Sequence, residues 1–125
     1  MIQYLFAYNF ETGHKCLNLK DINSEHCHMI GHIFSAINSF ANKLFDKNNE
    51  RIKSIFFNKY IIKDFILFED LNIDLLFIYE LDDDPFIEEL YFLIKGFLNQ
   101  YKPLFNGNLI NIGRFEHIEY EMKLI

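Results

Sequence analysis

Residues 29–45, MIGHIFSAINSFANKLF, decide how this chain folds. Ile30, Ile33, Phe34, Ile37, Phe40, Ala41, Leu44 and Phe45 recur at the three- and four-residue steps of one helix face. His28, His32, Ser35, Ser39 and Asn42 fall on the opposite side and are expected to face water. Strand-like segments flank this helix on both sides in sequence. The simplest burial of its apolar stripe therefore lays it across a sheet built from them.

Upstream, Ile2 to Phe10 reads as a strand with apolar groups on both faces, so it is expected to be covered on both sides. Glu11-Thr12-Gly13 is a turn, with Gly13 free to take positive φ. His14 to Leu19 returns as the second arm of a hairpin, short and polar enough for a sheet edge. Asn23 or Ser24 is placed to cap the helix, with Glu25 in its first turn.

Downstream, the polar turn DKNNE (46–50) leads into three strand-like segments, Arg51 to Lys59, Ile61 to Phe68 and Ile73 to Tyr79. The last, IDLLFIY, is nearly continuous apolar sequence and reads as a central strand. Turns at Asn58-Lys59 and 69–72 make the three an antiparallel meander. At 82–85, DDDP supplies a capping Asp, with Pro85 in the first helical position. A second helix to about Tyr101 follows, with Ile87, Leu90, Ile94, Phe97, Leu98 and Tyr101 as its stripe. Gly96 inside it suggests close packing, and Pro103 ends it. After the loop Asn106-Gly107-Asn108, a third helix is expected from about Gly113, with Phe115, Ile118, Met122 and Ile125 on one side.

These elements give a single α+β domain over residues 1–125: a five-stranded antiparallel sheet in the order β-β-α-β-β-β-α-α, one helix on one face and two on the other. Half the residues are hydrophobic and 15 are Phe, more apolar material than a monomer of this size needs. The net charge of −6 argues against nucleic acid and against adhesion to anionic lipid. The acidic cluster Glu80, Asp82, Asp83, Asp84, Glu88 and Glu89 reads as a solvated turn and helix start. Cys16 and Cys27 make no disulfide framework, and reduced thiols in the cytoplasm are the expectation. No apolar run reaches the roughly 18 residues of a membrane span, and MIQYLFAYNF does not read as a signal peptide.

The element order resembles the longin fold over nearly the whole chain. The resemblance runs from the hairpin containing YLFAYNFETG through the helix HMIGHIFSAINSFANKLF and the meander IKSIFFNKYIIKDFILFEDLNIDLLFIYELD. It continues into DPFIEELYFLIKGFLNQY and GRFEHIEYEMKLI. The first helix is similar to those of longin-like and roadblock-like proteins, including archaeal ones, although His32 stands where such helices usually carry a small residue. Roadblock domains begin with an extra helix, and this chain opens on a strand, which favours longin. The resemblance implies a non-catalytic module of trafficking machinery. Such a module pairs with itself or a related longin or roadblock domain, and the pair can hold a small GTPase. It further implies pairing through the first helix and the neighbouring edge strand, here Asn38 and Asn42 with Ile52, Lys53, Ser54 and Phe56.

Candidate chemistry in the residues themselves is thin. His14, Cys16, His26, Cys27, His28 and His32 are the best metal constellation, and His28 and His32, four apart, share a helix face. Yet no CxxC or HExxH spacing is present, and His28 and His32 point away from the stripe nearer to His26 and Cys27, so no metal is expected. Cys16 and Cys27 read as small buried hydrophobes rather than nucleophiles. Glu88/Glu89 and Asp82 to Asp84 belong to a helix start, not a catalytic carboxylate pair. The scattered glycines make no phosphate-binding loop, so no nucleotide or other cofactor is expected. A ligand sensor of PAS or profilin-like type, with a small molecule between sheet and helix, is the alternative reading. A zinc or thiol enzyme is a third.

Overall fold

The computed structural model describes residues 2–20, 24–46 and 50–105. Asp21 to Asn23, residues 47–49 of the expected polar turn, and residues 106–125 with the expected loop and third helix fall outside them, as do the side chains of Lys20, Ser24, Glu25 and Cys27. The architecture is α+β: one five-stranded antiparallel sheet and two α-helices. In chain order the elements are β1 (Ile2–Asn9), β2 (Lys15–Lys20), α1 (Ser24–Leu44), β3 (Ser54–Phe56), β4 (Tyr60–Phe68), β5 (Ile73–Glu80) and α2 (Asp84–Asn99). Short 3-10 turns lie at Glu69–Leu71, Leu81–Asp83 and Lys102–Phe105.

The strands run β2-β1-β5-β4-β3 across the sheet. β2 and β3 are thus the two edges, and α1 is the connection between them. Four strand spacings amount to about 19 Å, and the 21 residues of α1 reach about 31 Å. The helix is long enough to traverse the whole face.

The two central strands owe their uninterrupted apolar runs to burial on both sides. Leu5 and Ala7 of β1 join Ile73, Leu75, Phe77 and Tyr79 of β5 on the face that receives Ile87, Tyr91, Ile94 and Leu98 of α2. Phe6 and Tyr8 join Leu76 and Ile78 on the face that receives Phe34 of α1. On the α2 side Phe65 stacks on Tyr91, ring centroids 4.4 Å apart, and the Tyr91 hydroxyl donates to the Ile66 carbonyl. Among the described residues no helix is long and apolar enough to cross a membrane.

Four local expectations need correction. The strand expected over Arg51 to Lys59 forms only at Ser54–Phe56, because residues 50–52 are bonded to α1 and to buried carboxylates instead of to a ladder. The helix expected to reach Tyr101 ends at Asn99. Its N-cap residue, Asp83, makes no side-chain capping bond; the neighbouring Asp84 instead accepts from the Tyr79 hydroxyl. Gly96 is exposed, with nothing within 4 Å of the place a Cβ would occupy, so no close packing explains it.

The orientation of α1 is the largest correction. Phe34 is its buried anchor, with Ile30 half-buried beside the same cluster, whereas Met29, Ile33, Phe40, Leu44 and Phe45 are exposed. The apolar arc of this helix is wider than one sheet contact can cover. Its rotation is set by what its polar residues hold.

Candidate functional site

At 100° per residue, α1 presents three faces. Ile30, Phe34 and Asn38 look toward the sheet. Met29, Ile33, Phe40 and Leu44 form an outward apolar row. Between the two, on the other flank, His28, Gly31, His32 and Ser35 meet the turn that joins β1 to β2.

That turn is tied down bond by bond. The Asn9 side-chain oxygen accepts from the Glu11 and Thr12 amides at 2.9 and 3.2 Å, and the Thr12 hydroxyl accepts from His14 N–H at 3.2 Å. Gly13 N–H donates to the Asn9 carbonyl at 2.7 Å, and Gly13 takes a φ of +81°, which a side chain would resist. Ser35 reaches across from α1 to donate to the Glu11 carbonyl at 2.7 Å. Gly31 leaves room for the Gly13 carbonyl to lie directly on the helix. This clamp brings His14 against His28 and His32: the three residues each offer a ring nitrogen, all within 4.8 Å of one another. His28 Nε2 and His32 Nε2 are 3.1 Å apart. His14 and His28 are exposed and His32 is half-buried.

Among the described side chains, His26 and Cys16 are not part of this group. His26 has its Nδ1 2.9 Å from the Tyr4 hydroxyl. Cys16 packs at the edge of the α2-side core, and burial pushes its thiol up to about 11, against the pull of one backbone hydrogen bond. It is not a thiolate nucleophile at neutral pH.

The residues implied by the longin resemblance are split. Asn38 is buried, 3% exposed, and its oxygen accepts from Ile52 N–H at 2.7 Å. Asn42 accepts from Glu50 N–H at 3.0 Å. One turn apart on α1, the two side chains satisfy alternate N–H groups of the chain entering β3, so both are engaged within the domain. Ile52 is half-buried against the α1-side core. Lys53, Ser54 and Phe56 lie along the sheet edge; Ser54 and Phe56 pair only with β4, and Phe56 is 68% exposed.

Sequence reasoning missed a buried polar group at the same end of the sheet. Asp74 of β5 is 1% exposed and directly opposite Tyr8 of β1. Arg51 bonds Asp74, sits 3.5 Å from Asp64, and lies 3.9 Å over the Phe10 ring. Tyr8 donates to Asp64 at 3.0 Å. Two carboxylates face one guanidinium. Burial, then the hydrogen bond and charge of Asp74, hold the Asp64 carboxyl well above the usual range, against Tyr8 and Arg51. Burial alone would lower the Arg51 guanidinium; the hydrogen bond and charge of Asp74, with Asp64, raise it instead. The Tyr8 hydroxyl is raised by burial and by the two carboxylates and stays a donor. The signal was an Asp inside each of two apolar runs, YIIKDFILF and IDLLFIY, where a charge needs a partner.

A concavity of about 310 Å³ adjoins this group, lined by Arg51, Ile52, Lys53 and residues 63–66. Among known proteins, no family model, curated protein or solved structure matches the chain.

Proposed function

We propose that this chain is a longin-type docking module of the cytoplasm, without catalysis of its own. In this reading it pairs with a second copy or a related longin or roadblock domain, and the pair regulates or scaffolds a small GTPase in a trafficking-type assembly. The observation that carries the reading is the outward row of α1. Phe40 and Leu44 are 64% and 62% exposed on a helix that buries Phe34 and Asn38 on another face. Large apolar side chains left exposed in a row on one helix face favour a protein partner. The element order and the single antiparallel sheet fit the longin arrangement, and β3 offers an outer edge to which a partner strand can add by backbone hydrogen bonds.

Sedimentation velocity of the full chain tests it. A dimer is expected, and Phe40→Ser with Leu44→Ser should return a monomer that keeps its helical circular dichroism. A wild-type chain that stays monomeric at the highest attainable concentration would sink the reading. Pull-downs with GDP- and GTP-loaded small GTPases address the downstream partner.

The concavity between Arg51 and residues 63–66 favours one second reading, a small-molecule sensor, since its volume is at the lower end of the ligand-pocket range. A ligand that co-purifies with the chain and leaves on Lys53→Ala, a change at an exposed residue of the concavity, would support it.

A further inference from the structure

We propose that His14, His28 and His32 bind one divalent transition ion of the zinc type, which ties the β1–β2 turn to α1. The inference does not depend on the docking reading, because its three residues are not among those of the outward apolar row.

The distances suit such an ion. Zinc–nitrogen bonds of about 2.0–2.1 Å at tetrahedral angles put neighbouring ligand nitrogens roughly 3.3 Å apart. His28 Nε2 and His32 Nε2 are 3.1 Å apart, and His14, His28 and His32 each offer a ring nitrogen in a set that lies within 4.8 Å of one another. His14 is exposed, so its ring is the one least held by packing. His28 and His32, one helical turn apart, supply the two-histidine spacing that metal sites on helices use.

The chemistry of the cluster points the same way. Two neutral imidazoles can share one N–H···N bond, and the third ring, His14, meets His32 edge-on and His28 at a tilt, at centroid distances of 5.2 and 5.8 Å. If two rings were protonated they would repel. A single cation accepts lone pairs from all three. The ligand set is nitrogen only, so it selects borderline ions such as Zn²⁺, Ni²⁺ or Cu²⁺ and leaves Mg²⁺ and Ca²⁺, which want oxygen, unbound. Three protein ligands on the surface leave a fourth position for water.

The frame is built in advance. The turn is held by Asn9, Thr12 and Ser35, and it sits on α1 only because residues 13 and 31 are both glycine. A Cβ on Gly13 would lie 2.5 Å from His32 Nδ1, and one on Gly31 would lie 2.5 Å from the Gly13 carbonyl oxygen. A site whose backbone is fixed before the ion arrives gives up little ordering entropy on binding.

Calorimetric titration of the full chain with Zn²⁺ alone decides the matter. One ion per chain is expected, with no heat from Mg²⁺ or Ca²⁺. His14→Ala should weaken binding by about 100-fold or more, beyond what loss of an outer-shell partner costs, and His26→Ala should not change it. A zinc excess of 100 times Kd should raise Tm by about 10 °C in the wild type and in His26→Ala, but not in His14→Ala. Cobalt substitution should give visible d–d bands and no thiolate charge-transfer band. Dissociation constants weaker than about 1 mM, zinc binding that survives His14→Ala, or a thiolate band in the cobalt form would each overturn the proposal. His14 sits exposed on a turn, so that variant folds even if changes at His28 or His32 disturb α1.

Discussion

The Gly13 carbonyl oxygen lies 2.5 Å from where a Cβ on Gly31 would stand. This contact fixes how α1 meets the first hairpin, and it sets two opposing effects against each other. Alanine for glycine within a helix gains about 1 kcal/mol of propensity. Overpacking against a backbone carbonyl that cannot rotate away costs about 1–3 kcal/mol. Gly31→Ala is therefore expected to destabilise the fold by up to about 2 kcal/mol net. Gly96→Ala meets nothing within 4 Å and should stabilise by up to about 1 kcal/mol. Urea denaturation midpoints of the two variants, moving in opposite directions from the wild type, check both.

Arg51 is the only cation among the described residues shown against the two buried carboxylates. Arg51→Met keeps much of the side-chain volume but leaves Asp64 and Asp74 facing each other with Tyr8. Breaking a buried pair by removal of one partner costs about 3–5 kcal/mol, and a loss of that size is expected. The double change with Asp74→Asn should recover part of it. Thermal denaturation of the single and double variants measures the difference.

Some of this was legible in the sequence for physical reasons. IDLLFIY declares a strand buried on both faces, and Ile73 to Ile78 are buried throughout. The turns at Gly13, Asn58-Lys59 and 69–72 were legible in their residue types, and Asn72 does take a left-handed φ of 57°. The rotation of α1 was not legible. Ile33 and Phe34 are adjacent and equally apolar, and which one is buried depends on distant partners: the Gly13 carbonyl, Ile52 N–H and the Glu11 carbonyl. The spacing of His28 and His32 showed a shared face, but His14 joins them only because the hairpin turn folds back on that face. The shortness of β3 likewise follows from Arg51 reaching Asp74, a contact across 23 residues of chain.

Asn38 illustrates how one buried side chain directs an edge strand. Its oxygen holds Ile52 N–H at 2.7 Å, while its Nδ2 is buried with no partner among the described residues. Asn38→Ala removes the acceptor and orphans the Ile52 amide, at about 1–3 kcal/mol. Relief of the unpaired Nδ2 offsets part of that, so a net loss of about 1 kcal/mol is expected. Amide hydrogen exchange should show it locally: protection of Ile52 falls, while that of β1 and β5 amides falls only as far as global stability does.

Asp64 gives the fold a pH dependence whose sign follows from its environment. Burial, with Asp74 beside it, raises its carboxyl well above the usual range in the folded chain. In the unfolded chain it titrates near about 3.9. Between those two values the native state holds a proton that the unfolded state has lost. The contribution of Asp64 to stability is thus full below about pH 4 and declines as pH rises through the folded value. Asp64→Asn keeps an oxygen for the Tyr8 hydroxyl and places an amide N–H where the protonated acid donates to Asp74, so it mimics the neutral form at every pH. The variant should lose this decline and be more stable than the wild type at pH 8, with the two converging toward pH 4. Denaturant unfolding of both proteins at pH 4.5, 6 and 8 measures the gap directly; a gap that stays constant or narrows as pH rises would show that Asp64 is ionised in the fold.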